Sequence, residues 1–540
     1  MKIRSDILRT YQSLHTWTGI TAGLLLFIGF FAGSLTMFSS AINDWATPPD
    51  YQLPQVESGQ HDVLLQQVLS LNPEALKGVS VSFEEASSPV SWYGHGSARG
   101  FSMDDQVWHA TLNEQGDMIT ELRHVNELSM LVDYLHRSAG IIGELGHDQA
   151  GVYVLGVAAF LYFIALVSGV IFLLPSLVKS FFALRKEKGA NRFWLDSHNL
   201  VGIASLPFHI IIAVTVIVFS FHDLFYGGLS QVYGDKPMFG GGETHKEIRY
   251  ELKDLPSLDD IKQATLTYAP GYEVKSISLS RLTTAHPSAT VMIVSERTLM
   301  RGPHNDYVFM NPFTLEINSS SVTSDHGQQG IWGAVVTSFF GLHFGSYGGE
   351  LGRWLYFVMG LGGAFLFYSG NLIWLEKRRK KQSTKQSRSS HFMANLTIGV
   401  TLGCLIGLAG TFAASKWLTL ADWNINIAYM WVYYTLFLST MASAFIIGAA
   451  RFSIIGLSLF IALCIMIPLN SMIALALPSI GIWSPNSMAD FGIEMGAIGF
   501  ALAACYALKR ARQRVYEGEV DSIWYCPKMS KQPHVRSRVA

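Results

Sequence analysis

LHTWTG at residues 14–19 and SHNLVG at residues 197–202 each set a histidine four positions ahead of a glycine at the start of a long apolar run. A second kind of histidine segment, LHR at 135–137 and LHFGSYGG at 342–349, precedes two further apolar runs. The order is the same both times: H-x-x-x-G, apolar run, long polar segment, LH segment, apolar run. Such an ordered repeat reads as two copies of one unit, and the histidines then fall at two levels of a duplicated helical bundle.

Composition places that bundle in a membrane. The 540 residues are 49% hydrophobic, 12% aromatic and 15% charged, with a mean hydropathy of +0.27, whereas a soluble domain carries roughly a quarter charged residues. Apolar runs of about 17 to 25 residues, long enough to span the hydrocarbon layer, occur at 17–39, 152–174, 199–221, 353–375, 394–415, 429–449, 452–475 and 491–508. The expected fold class is therefore a polytopic α-helical membrane protein of about eight transmembrane helices. The first run is too long for a signal-peptide core and reads as an uncleaved anchor. Net charge is −1, and the basic residues lie in short loops rather than in one patch, so no nucleic-acid partner is expected. Cys404, Cys464, Cys505 and Cys526 include no C-x-x-C spacing, which argues against a disulfide framework and against a zinc or iron–sulfur site.

Basic residues also orient the chain. Lys2, Arg4 and Arg9 precede the first run; Lys179, Arg185, Lys186, Lys188 and Arg192 join the second and third; Lys377 to Lys381 follow the fourth; Arg451 lies between the sixth and seventh, and the Lys509–Arg514 cluster follows the eighth. Lys and Arg collect on the cytoplasmic side, so both termini are expected there, with 40–151 and 222–352 outside. Each outer segment reads as a helix followed by a strand meander, for example 251–270 and then VKSISLSRL, ATVMIVSE and DYVFMNPFTLEIN. ATLNEQGDMI and VFMNPFTLEI share a strand, an Asn, a turn and a resumed strand. Ser168-Gly169 and Ser369-Gly370 recur at similar depths in the two returning spans.

The histidines carry the chemistry. Neutral imidazole ligates haem iron through one ring nitrogen, and a six-coordinate haem needs two such ligands from facing helices. His15 and His198 suit one haem; two of His136, His209 and His343 suit a second. Interfacial placement of an amphipathic ring is the plain alternative for a single such residue, and helix capping the alternative for His136 and His343. His209 lies near the middle of the third run, where an ionisable group is costly and usually functional. Eleven residues separate it from His198, about three turns of one helix, so one helix could serve both haems. His147-Asp148 and His222-Asp223 mark the outer boundary as possible substrate or metal ligands, with solvated loop residues as the plainer reading; the remaining outer histidines read as surface residues.

The set of L-H-x-x-x-G at 14–19, LHR at 135–137, the histidines at 198 and 209, and L-H-F-G-S-Y-G-G followed by Gly352-Arg353, Ser369-Gly370 and Trp374 resembles the PepSY-associated transmembrane family, also called iron-regulated membrane proteins. The resemblance covers roughly residues 8 to 381. It implies two periplasmic α+β PepSY-like domains and a bacterial inner-membrane location, and it extends to haem-containing reductases of ferric siderophores. A dihaem b-type ferric-chelate reductase follows as an expectation, with haem b as cofactor and ferric siderophore as substrate partner. FGGGE at 239–243 follows no strand and opens no helix, unlike a dinucleotide fingerprint, so the electron donor is expected to be a quinol or a separate cytoplasmic reductase. A permease for an iron chelate or small peptide, and a non-enzymatic PepSY regulator, are the alternatives; both leave the paired histidines without a task. The expected division is 1–39 first span, 40–151 first outer domain, 152–221 spans two and three, 222–352 second outer domain, 353–381 fourth span, 382–393 cytoplasmic linker, 394–508 a four-helix module without histidines, and 509–540 a cytoplasmic tail.

Overall fold

The structure is a computed structural model that describes residues 4–526 apart from 52, 58, 85–86, 96–104, 147, 177–184, 186–189, 234–249, 296, 299, 303–304, 323–329, 381–385 and 422. His147, FGGGE and the basic residues Lys179, Lys186 and Lys188 lie outside the described residues.

The first copy of the unit runs α1 (Ser5–Thr36), α2 (Ser39–Ala46), α3 (Gln60–Leu71), β1 (Gly78–Ser82), β2 (Val90–His95), β3 (Gln106–Leu112), β4 (Met118–His124), α4 (Leu128–Ser138), a short ladder of β5 (Glu144–Leu145) and β6 (Asp148–Gln149), and α5 (Ala150–Leu173). The second runs α6 (Ala190–Ala204), α7 (Leu206–Ser220), α8 (His222–Tyr233), α9 (Leu258–Tyr268), β7 (Glu273–Ser280), β8 (Ser288–Val294), β9 (Asp306–Met310), β10 (Ile317–Ser320), α10 (Gly330–Phe344) and α11 (Gly349–Arg379). A C-terminal module follows: α12 (Arg388–Leu418), α13 (Ile425–Ile447), α14 (Ala449–Ala476) and α15 (Met488–Glu517). Among the described residues seven helices are long and apolar enough to cross a membrane, and α6 with α7 makes an eighth span if the bent pair is counted as one.

That bend changes the reading of the third span. The expected single helix over 199–221 breaks at Ser205, and its two halves meet at 70°. Pro207 at the start of α7 has no amide hydrogen, and its ring clashes with the carbonyl four residues back, so a straight helix cannot pass through it. His198 on α6 and His209 on α7 therefore do not lie along one axis.

The two outer segments join. Their strands form one eight-stranded sheet in the order β10-β9-β8-β7-β1-β2-β3-β4. Strands β1 and β7, the first of each meander, pair antiparallel at the centre from Gly78↔Ser280 to Ser82↔Ser276, and the Ser80 and Ser278 hydroxyls meet there at 3.1 Å. The sheet thus repeats about its midpoint. Alternation in each strand sends Val79, Val81, Ile277, Leu279, Val291 and Val308 into one core with Leu64, Val68 and Ile261 of α3 and α9. Leaving either unit alone would expose half of that core and a bare strand edge. The shared asparagines do the same work in both hairpins: Asn113 Oδ1 accepts from the Asp117 amide at 2.8 Å, and Asn311 Oδ1 from the Phe313 amide at 2.9 Å.

In the bundle, α1 packs against α5 and α11 at the centre of the duplicated core. The C-terminal module grips this core near α4. Asn426 donates to the Val125 carbonyl at 2.6 Å and accepts from the Glu127 amide at 3.0 Å; the Tyr429 hydroxyl donates to Asn126 Oδ1 and the Tyr434 hydroxyl to the Gly140 carbonyl.

Candidate histidine centres between the duplicated helices

Four histidines form two pairs, each with one member from each copy of the unit. His15 of α1 faces His198 of α6, with ring centroids 6.3 Å apart and planes at 82°. His136 of α4 faces His343 of α10, at 6.0 Å and 32°. Residues 29–33 of α1, which pack against His136, lie about 21–27 Å along the helix from His15 at ~1.5 Å per residue. The pairs thus sit near opposite ends of the bundle, and the His136 pair is at the end that carries the sheet.

The hydrogen bonds fix which nitrogen of each ring is available. His15 Nδ1 donates to the Ala165 carbonyl at 2.8 Å, and His136 Nδ1 to the Gly29 carbonyl at 2.9 Å. A carbonyl can only accept, so both rings carry their proton on Nδ1. His198 Nδ1 lies 2.9 Å from the Ser369 hydroxyl, whose own hydrogen goes to Leu366; His343 Nδ1 lies 2.8 Å from the Thr215 hydroxyl, whose hydrogen goes to Ile211. These hydroxyls have spent their one donor, so they accept from Nδ1. All four rings are thereby set with an Nε2 lone pair for a ligand, which is the arrangement that orients metal-binding histidines. The tethers also obey the duplication: Ala165 and Ser369 stand on the returning helices α5 and α11, and Gly29 and Thr215 on α1 and α7.

Glycines allow the rings in. A Cβ at Gly33 would stand 2.5 Å from His136 Nδ1, one at Gly169 2.9 Å from His15 Nδ1, and one at Gly370 3.7 Å from His198 Cε1. A metal held by two imidazoles at ~2.0–2.1 Å per bond would keep the ring centroids about 6 Å apart, which is the spacing of both pairs. Beside His136 and His343 lies a cavity of about 690 Å3, lined also by Gly29, Gly33, Tyr162 and Phe208; this is within the range of ligand and cofactor sites.

His209 joins neither pair. Ser205 gives its hydroxyl hydrogen to Val201 and accepts from His209 Nε2 at 2.8 Å, so this ring carries its proton on the nitrogen that the other four leave open. Its Nδ1 is buried with no hydrogen-bond partner among the described residues, as is the hydroxyl of neighbouring Tyr162. His209 instead belongs to an aromatic layer with Phe30, Tyr162, Phe208 and Phe367, ring centroids 5.0–6.5 Å apart, packed across the middle of the core.

A family profile described as the PepSY-associated TM region matches residues 12–377, which hold all four paired histidines and their tethers. The chain belongs to that family. No curated protein matches it. The family match ends before α12, so this PepSY-associated protein carries its C-terminal module as an addition outside the matched region.

That module is less bland than its composition suggests. Lys416 is fully buried, with Nζ 2.9 Å from both the Ser471 hydroxyl and the Trp483 carbonyl and 3.6 Å from Glu494, over the Trp45 ring. Trp45 of α2 donates to Glu494 at 3.2 Å, so the network ties module to core. Lys416 falls one residue beyond an apolar run and Glu494 four residues into another, and neither position reveals the pairing.

The outer histidines divide. Asp148 approaches the His222–Asp223 pair. His109, read as a surface residue, is partly buried on β3 and hydrogen-bonded to Ser88 Oγ at 3.0 Å, and burial pushes its pKa down to about 4.

Proposed function

We propose that this membrane protein binds two b-type haems, one between His15 and His198 and one between His136 and His343, and passes single electrons outward to ferric iron held in a siderophore. The observation that carries the reading is the common protonation of four rings by four separate tethers, repeated across the duplication. A permease or a regulator has no use for imidazoles preset as ligands at two levels.

When bound, the haems supply one-electron chemistry whose potentials are set by axial ligands, hydrogen bonding and burial. The chain's residues hold the imidazoles in orientation through the Ala165, Ser369, Gly29 and Thr215 acceptors. Phe30, Phe208 and Phe367 exclude water from the middle of the core. His209 belongs to that layer in this reading and ligates nothing. The basic loops support an inner-membrane orientation with both termini cytoplasmic and the sheet in the periplasm. The substrate class rests on the resemblance to ferric-siderophore reductases, and the donor is a quinol or a separate cytoplasmic reductase.

Absorption spectra and a haem count on the purified full-length protein test this. The expected result is two low-spin haems per chain, with half of the signal lost in His198→Ala and half in His343→Ala. His209→Ala should keep both. After stoichiometric reduction, an added ferric siderophore should reoxidise the protein and yield Fe(II). Haem-free protein from haem-replete cells, or full low-spin signal in both ligand variants, refutes the proposal.

A further inference from the structure

At the mouth of the cavity beside His136 and His343, two parts of the chain 74 positions apart bring three ligand-bearing side chains together. Asp148 lies in β6, just before α5; His222 and Asp223 open α8, just after α7. Helices α5 and α7 come close because Gly156 has no side chain: a Cβ there would stand 2.5 Å from the Ser220 Cβ. One ligand atom from each of Asp148, His222 and Asp223 then falls within 4.8 Å of the others. Donor atoms around one cation at bonds of ~2.0–2.2 Å stand about 3–4 Å apart, so small side-chain rotations close the set.

One nitrogen of the His222 ring is held by a backbone carbonyl, as in His15 and His136. Its Nδ1 donates to the Phe219 carbonyl at 2.7 Å, and its Nε2 lies 3.2 Å from Asp223 Oδ1. With Nδ1 on that carbonyl, Nε2 is the ring atom on the side of the Asp223 carboxylate. A cation placed there would take one bond from each. Asp148 supplies a second carboxylate, and next to it the Gln149 side-chain oxygen is buried without a hydrogen-bond partner among the described residues. Two carboxylates and a neutral imidazole carry two negative charges, matching a divalent ion. The side chains of His222 and Asp223 remain 42% and 34% exposed, so an ion can enter from solvent.

We propose that Asp148, His222 and Asp223 form a binding site for a first-row divalent cation, and that its cargo is Fe(II) released beside the outer histidine pair. Mixed imidazole and carboxylate donors suit Mn(II), Fe(II) and Zn(II), while Mg(II) and Ca(II) favour all-oxygen sets and Cu(I) favours sulfur. Position specifies iron: Asp148 and His222 line the same cavity as His136 and His343. The ferrous assignment rests on the electron-transfer reading above; the cation site itself rests on the three side chains.

Equilibrium dialysis of the full-length protein against Mn(II), with manganese counted by elemental analysis apart from haem iron, tests the site. Wild type should bind one Mn(II) per chain, and Fe(II) under anaerobic conditions should displace it. Asp148→Asn and His222→Gln, each near-isosteric, should weaken binding by about tenfold or more while eluting as the same monodisperse species with unchanged haem content. Equal Mn(II) uptake by wild type and both variants, or no uptake by haem-replete wild type, overturns the site. Failure of Fe(II) to compete overturns the ferrous assignment. Haem-free wild type whose Mn(II) binding still depends on Asp148 and His222 sinks the electron-transfer reading and leaves the cation site standing.

Discussion

Gly33→Ala should selectively disable the outer histidine pair, although it adds a single methyl group to a helix. Helix propensity alone predicts the opposite sign, since Ala is favoured over Gly by about 1 kcal/mol in a helix interior. The new Cβ, however, would sit 2.5 Å from His136 Nδ1 and 2.8 Å from Cε1, where ordinary contact is about 3.5–4.0 Å. Relief needs a shift of about 1 Å in the ring or in α1, and the Nδ1 bond to the Gly29 carbonyl, one turn away on the same helix, resists it. Functional groups must hold position within about 0.5 Å. Overpacking of this kind costs about 1–3 kcal/mol, or roughly 5- to 150-fold in affinity. Two sister substitutions grade the effect: Gly169→Ala brings a Cβ to 2.9 Å from His15 Nδ1, and Gly370→Ala to 3.7 Å from His198 Cε1. Haem-to-protein ratio and low-spin absorption of the three variants should fall in the order Gly370, Gly169, Gly33, with Gly370→Ala indistinguishable from wild type and Gly33→Ala losing the outer haem. A Gly33→Ala protein with both haems and an unchanged spectrum would refute the claim that this glycine exists to seat His136.

Two further outcomes concern stability. Burial first, and the nearby Asp105 carboxylate second, push the Glu127 pKa up from 4.5 to about 7; a raised carboxyl pKa means stability that is full below pH 4.5 and lost as pH rises through 7. Glu127→Gln should therefore leave thermal stability unchanged near pH 4 and raise it at pH 8, by at most about 3 kcal/mol, and an equal gain at both pH values would dismiss the linkage. Lys416→Met should cost about 3–5 kcal/mol by leaving the Glu494 carboxylate buried without its cation, and Lys416→Met combined with Glu494→Met should recover most of that loss. Thermal unfolding in detergent checks both, and a double variant no better than the single would show that the network is not an ion pair in energetic terms.

Periodicity and composition reached far because a bilayer leaves few choices. Long apolar runs must become helices that satisfy their own backbone groups, so the spans, the duplication, the helix-then-meander order of the outer segments and the histidines at 15, 136, 198 and 343 were all legible along the chain. What remained hidden depends on groups remote in sequence. No residue pattern says that β1 meets β7, since edge pairing needs only two compatible strand edges. Pro207 was visible, but an axis bent by 70° and its effect on His209 needed the packed helices. Four histidines permit several pairings, and which nitrogen each ring leaves open is decided by Ala165, Ser369, Gly29 and Thr215, acceptors 107 to 171 positions away in the chain. Sequence marked the candidate histidines and suggested His15 with His198; tertiary structure alone set His136 against His343, placed His209 apart and fixed which ring nitrogen each tether holds, because hydrogen bonds act over about 3 Å in space and take no account of distance along the chain.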